Sequence, residues 1–284
     1  MGASKFVIAN NLKLHFLDYG TDGKFPLVCL HGLTGNAHNF DGLAPHLTDT
    51  HHVRSLDVRG RGDSAWGPAD QYDAPHYVAD LKAVADALGI KRCSLIGTSM
   101  GGVISILFAS LHPDLVDRVV LNDVGPEIDP AGIRRISGYV GNSPTEFKNL
   151  SEVAAYYREN YPTMASIGEA ALTETVKWSV KPIAGGKLGW KMDPAVRSPM
   201  RLNSAAPPPA AVPPPLNLWT QYETISAPIL IIRGADSDIL SPATTKRMCE
   251  AVRAARVVGV PGVGHAPSLL ELESLGAIKD FLAR

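Results

Sequence analysis

Five short segments carry side chains or backbone groups that could supply the four parts needed for acyl transfer. Ser99 lies in LIGTSMGG (95–102), between Gly97 and Gly101, where one apolar run ends and another begins. A serine hydroxyl is a poor nucleophile until a base removes its proton. His265, in VPGVGHAPSL (260–269), is the candidate base. Two carboxylates could orient its imidazole: Asp123 in VVLNDVGPE (119–127) and Asp238 in IIRGADSDIL (231–240), the latter with Asp236 nearby. HGLTGN (31–36) supplies the fourth part, an oxyanion hole: the N–H of Leu33 and that of Met100, next after the serine, could face the charge that develops on an attacked carbonyl.

Glycine–X–serine–X–glycine spacing arises by chance in long chains, so its context decides. The context required is a strand, a sharp turn and a helix. CSLIG (93–97) reads as the strand and VISILFASL (103–111) as the helix, stopped before Pro113. A bend that tight strains the serine backbone, needs small neighbours and leaves the hydroxyl at a helix N-terminus, where negative charge is favoured.

The same alternation positions the other segments. FVIAN and LKLHFLDYG predict two opening strands turning at Asn10-Asn11; PLVCL (26–30), VRSLD (53–57), RVVLND (118–123), APILIIRG (227–234) and RVVGV (256–260) predict further strands. Helical spacing predicts helices at 37–47, at 77–88 before Gly89, at 241–255 and at 269–282. Such alternation implies an α/β fold, a mostly parallel sheet covered by helices, with sites at the C-terminal strand ends. Between about 126 and 218 the rhythm lapses into helical pieces such as EVAAYYREN and EAALTETVKWSV, closing with the stiff PPPAAVPPP (207–215). The expected organisation is a core of 1–125 and 219–284 with an inserted helical cap, 126–218.

Bulk properties exclude several classes. The 284 residues carry a formal charge of −1, which gives no basis for nucleic-acid or anionic-membrane binding. No apolar run reaches the roughly 18–20 residues of a membrane span. The start, MGASKFVIANN, lacks a signal-peptide core, so a cytoplasmic location is expected, and Phe6 stands where a myristoylation signal wants Ser or Thr. Three cysteines (Cys29, Cys93 and Cys249) and nine histidines show no metal-ligand spacing; no metal is expected, and Cys29 and Cys93 read as buried thiols. Tyr156, Tyr157, Trp178, Trp190 and Trp219 could line an apolar pocket, although packing is the simpler role for each.

HGLTGN, DVRGRGDS, GTSMGG, VLNDVGPE, RGADSD and GVGHAP occur in this order, and together they resemble the α/β-hydrolase superfamily, in its branch with a cap. The resemblance covers nearly everything outside 126–218. It implies an eight-stranded, mostly parallel sheet, a catalytic triad at its C-terminal edge, no cofactor, and a lid between the sixth and seventh strands. Ser99 matches the nucleophile, His265 the base, and Leu33 and Met100 the oxyanion donors. The serine sets the chain apart from the similar haloalkane dehalogenases and epoxide hydrolases, which use aspartate. One position departs: most members carry the acid where this chain has Ser237, flanked by Asp236 and Asp238. Some take it from the end of the sixth strand, which favours Asp123 over Asp238. The implied activity is carboxylic-ester hydrolysis of a small-molecule ester or related carbonyl substrate, by a monomer or homodimer. Alternatives are C–C hydrolysis of a ring-cleavage product, enol-lactone hydrolysis, or a ligand receptor retaining the constellation.

Overall fold

Strands that are apolar on both faces must be covered on both, and the central strands of this sheet are of that kind. The computed structural model describes residues 1–20, 22–164, 168–197 and 216–283. The chain opens with a hairpin, β1 (Ala3–Ala9) and β2 (Leu12–Asp18), turning through Asn10 and Asn11 at φ 47° and 61°. That left-handed pair suits the twist of a two-residue hairpin, and asparagine tolerates it. Then follow β3 (Phe25–Leu30), β4 (His51–Leu56), α1 (Ala74–Ala87), β5 (Cys93–Thr98), α2 (Met100–Leu111) and β6 (Val116–Asn122). After a long insertion come α7 (Trp219–Glu223), β10 (Ile229–Gly234), α8 (Pro242–Ala251), β11 (Ala255–Val260) and α9 (Leu272–Leu282).

The eight strands pair in the order β1-β2-β4-β3-β5-β6-β10-β11. β2 runs antiparallel to both its neighbours, and β4 through β11 run parallel. One face packs on α1, α2, α7 and α8 through Leu81, Ile104, Ile106, Phe108, Tyr222 and Met248. The other packs on α9 and the 37–47 segment through Phe40, Leu43, Leu47, Ile278 and Phe281. Segment 37–47 is not the continuous helix that its apolar spacing predicts. It forms two short 3-10 turns, Ala37–Phe40 and Ala44–His46. Pro45 has no N–H to extend the first turn into the second.

The insertion between β6 and β10 holds α3 (Pro130–Gly141), α4 (Leu150–Asn160), α5 (Glu169–Val176) and α6 (Pro194–Arg197). It also holds a small antiparallel sheet of β7 (Glu146–Phe147), β8 (Val180–Ile183) and β9 (Lys187–Trp190), in the order β7-β9-β8. The sequence reading expected helices alone here. Strands of two to four residues containing Lys, Gly and Pro show no alternation to detect. The insertion has its own apolar cluster, including Phe147, Val153, Tyr157, Leu172 and Trp190. Tyr156, Tyr157 and Trp190 pack in or against that cluster, and Trp178 stacks on His38 with ring centroids 3.7 Å apart. Trp219 belongs instead to the sheet core, its Nε1–H donating to Glu127 (2.9 Å). The proline run 207–215 lies outside the described residues. No helix among those described is long and apolar enough to cross a membrane.

Candidate active site

The bend at Ser99 follows from the glycines around it. β5 ends at Thr98 and α2 begins at Met100, leaving Ser99 at φ 52° and ψ −115°. A non-glycine residue there is strained and must be held by its surroundings. Ser99 N–H donates to the Asn122 carbonyl (3.0 Å), and its own carbonyl accepts from Gly102 (2.8 Å) and Val103 (3.1 Å). A Cβ on Gly97 would lie 2.3 Å from the Gly101 oxygen, and one on Gly101 would lie 2.0 Å from the Leu30 oxygen. The strand and helix approach too closely for any side chain at either position. Gly101→Ala is therefore expected to cost about 3 kcal/mol or more of stability. A urea midpoint equal to wild type would show that the contact relaxes freely.

His265 arrives on the loop after β11, with Nε2 3.0 Å from Ser99 Oγ and Nδ1 2.7 Å from Asp123 Oδ2. A carboxylate only accepts, so Nδ1 carries the proton and Nε2 is left to accept from the serine. Asp123 follows β6 at φ 56° and is fully buried. Its Oδ1 accepts from Gly234 N–H (3.0 Å), and Oδ2 also accepts from the Ser237 hydroxyl (2.6 Å). Ser237 thus points at the carboxylate from the place where the resemblance puts an acid. Asp238 is turned elsewhere, accepting two hydrogen bonds from Arg135 of α3 at 2.6 and 2.8 Å. Those bonds hold its carboxyl below the usual range. Of the two acids left open by the sequence, the structure brings Asp123 to the imidazole and pairs Asp238 with Arg135.

Several positions that the sequence reading passed over build this arrangement. Asn122 donates through Nδ2 to Thr98 Oγ1 (3.1 Å) and to the Pro267 carbonyl (2.9 Å), tying the end of β5 to the histidine loop. Gly234 lets that loop come close, since a Cβ there would lie 2.5 Å from the oxygens of Val263 and Gly264. Gly32 passes directly over Ser99: a Cβ there would sit 3.5 Å from that of the serine.

His31 locks the segment that contains Leu33. Its Nε2 accepts from Val58 N–H (3.1 Å), so Nδ1 carries the proton and donates to the Gly32 carbonyl (2.7 Å). Burial pushes its pKa down from 6.5 to about 4. Between those values the unfolded chain binds a proton that the folded chain refuses. The stability is therefore complete above pH 6.5 and falls as the pH drops toward 4. His31→Asn is expected to flatten this part of the pH–stability curve by an amount on the order of 3 kcal/mol. Urea unfolding between pH 4 and 7 measures it, and a slope identical to wild type would exclude this role.

The DVRGRGDS loop makes a separate clasp. His15, Asp57 and Asp63 place ligand-type atoms within 4.8 Å of one another, yet these atoms are already engaged. Asp57 accepts from Ala37 N–H (2.6 Å) and Asp63 N–H (2.8 Å) and faces His15 Nδ1 (2.6 Å), while Asp63 pairs with Lys191 (2.7 Å). The cluster fixes the loop beside the site. Arg61, in the same loop, is almost fully buried and donates to the Leu33 carbonyl.

Comparison with known proteins agrees with this architecture. Residues 26–144 match the family model for the alpha/beta hydrolase fold. The chain is 34% identical to a 3-hydroxybutyrate-oligomer hydrolase of Cupriavidus necator, over 90% of this chain and 87% of that one. It is 29% identical to a 2-(acetamidomethylene)succinate hydrolase of Mesorhizobium japonicum, over 92% and 89% of the two chains. A solved α/β hydrolase of Novosphingobium aromaticivorans superposes with a TM-score of 0.85 at 33% identity, covering 99% of this chain and 98% of that one. With this likeness along nearly its whole length and a parallel sheet in the order observed, the chain belongs to the α/β-hydrolase superfamily and is a hydrolase.

Proposed function

We propose that this hydrolase cleaves carboxylic esters through an acyl-enzyme formed on Ser99. The observation that carries the reading is the unbroken line from Ser99 Oγ through the His265 ring to Asp123, with both contacts within hydrogen-bond reach. In this reading His265 Nε2 takes the hydroxyl proton as Oγ attacks the carbonyl carbon. Asp123 keeps the imidazole in the required tautomer and stabilises the imidazolium that forms. The N–H groups of Leu33 and Met100 hold the tetrahedral oxyanion. His265 then protonates the departing alcohol, and a water activated in the same way releases the acid.

The insertion 126–218 serves as a cap in this scheme. Its Tyr161 hydroxyl donates to Thr34 Oγ1 (2.9 Å), next to Leu33, so the cap rests on the oxyanion segment. The relative named for 3-hydroxybutyrate oligomers supports short hydroxyacyl esters as the substrate class. Hydrolysis of p-nitrophenyl acetate and butyrate by wild type and Ser99→Ala tests the reading, with mass spectrometry for an acyl adduct on the Ser99 peptide. Turnover that survives the substitution, or that proceeds with no adduct under rapid quench, would refute it.

A further inference from the structure

Arg61 leads the largest fully buried side chains among the described residues, at 1% exposure. Its neighbour in the loop, Arg59, is buried too, but faces the Asp80 carboxylate at 2.5 and 2.6 Å. Arg61 is different. Its acceptors among the described residues are all neutral: the Leu33 carbonyl from Nε (3.2 Å), the Arg59 carbonyl (3.0 Å) and the Tyr77 hydroxyl (2.7 Å) from Nη1, and the Met100 thioether from Nη2 (3.4 Å). Among the described residues no carboxylate pairs with it. The rings of Tyr77 and Tyr72 flank the guanidinium, with centroids 5.0 and 5.8 Å from Cζ.

Burying a cation against neutral acceptors is unfavourable beside an apolar side chain of similar volume. What distinguishes the placement is the pair of residues it joins. Leu33 lies on the loop after β3 and Met100 on the first turn of α2, and one rigid, planar group contacts both. A guanidinium holds its donors in a fixed fork, so it sets the relative position of whatever it contacts. Fixing the Leu33 carbonyl restrains the backbone that carries the Leu33 N–H, and the Met100 contact restrains the first turn of α2. The same contacts bring a positive charge of low exposure against both residues.

We propose that Arg61 is a positioning residue of the oxyanion hole, clamping Leu33 to Met100 and holding a positive charge against both. The proposal rests on the ester-hydrolase reading of Ser99. It is tested in the full chain with Arg61→Met and Arg61→Lys, using p-nitrophenyl butyrate and a trifluoromethyl ketone that forms a tetrahedral adduct on serine. For Arg61→Met, kcat is expected to fall about 10²-fold, the scale of losing an oxyanion donor, while KM stays within about threefold. The inhibition constant for the ketone should rise by the same factor as kcat/KM falls. Arg61→Lys, which keeps the charge but not the fork, should recover roughly tenfold of the loss.

A purely structural role would lower thermal stability and leave kcat per folded molecule and ketone affinity at wild-type values. That result overturns the proposal. If Arg61→Met does not fold, Arg61→Lys decides: an intermediate kcat with proportionally weakened ketone binding supports the clamp, and wild-type values for both overturn it. Should Ser99→Ala retain full turnover, the reading of Ser99 fails and this proposal with it. Should turnover depend on Ser99 while both Arg61 variants match wild type, only the clamp is lost.

Discussion

Ser99→Ala is expected to lower turnover of p-nitrophenyl butyrate by roughly 10⁴- to 10⁶-fold, the range seen when a serine nucleophile is removed from a complete constellation. Folding should be preserved. Ser99 makes its structural contacts through backbone groups, the N–H to Asn122 and the carbonyl to Gly102 and Val103, all of which alanine retains. Alanine must still adopt φ near 52°, a strain that serine already bears, so stability should stay close to that of the wild type. KM should change little, because the hydroxyl contributes to bond making far more than to ground-state binding. Any residual rate comes from the oxyanion groups acting on a bound water. A Ser99→Ala protein with more than a tenth of wild-type kcat would remove the nucleophile from the scheme.

The second large effect concerns the acid. Asp123→Asn is expected to reduce kcat by about 10⁴-fold, and Asp238→Asn by less than about tenfold. An asparagine at 123 keeps its oxygen toward the Gly234 N–H, which leaves its NH₂ facing His265 Nδ1. Two donors cannot meet, so the imidazole takes the other tautomer. Its Nε2 then carries a proton and can no longer accept one from Ser99. The fold should survive, since asparagine tolerates the φ of 56°. Asp238 sits 36% exposed against Arg135, and an asparagine there still accepts a hydrogen bond. Comparing kcat of the two variants at equal folded fraction decides the matter, and the reverse ranking would reassign the acid.

Much of this arrangement was legible before any coordinates. Apolar runs punctuated by glycine mark the strands of the large sheet, because a strand covered on both faces cannot alternate with polar residues. The strand–turn–helix context isolates Ser99 for the same reason that the glycines are needed: the close approach of Gly101 to the Leu30 carbonyl leaves no alternative residue. His265 was readable from its place after the last strand.

The preference for Asp123 over Asp238 was legible only through the family resemblance, since neighbouring parallel strands end at one edge and either loop could reach the imidazole. What decides it is the Arg135 partner of Asp238, which comes from the insertion, far away in sequence. Asn122 and Arg61 were passed over, and the hydrogen bond of Ser237 went unforeseen, because their roles lie in contacts across the fold. Only Ser237 left a trace, as the odd residue at an expected acid position.

The hydroxyl of Ser237 and the carboxylate of Asp123 come from adjacent strand ends and meet 2.6 Å apart, beside the ring nitrogen they serve. Geometry there is owned by the sheet edge and not by either loop. A carboxyl side chain at position 237 would therefore stand at the same edge as Asp123, within reach of the same partner, with the histidine loop unmoved.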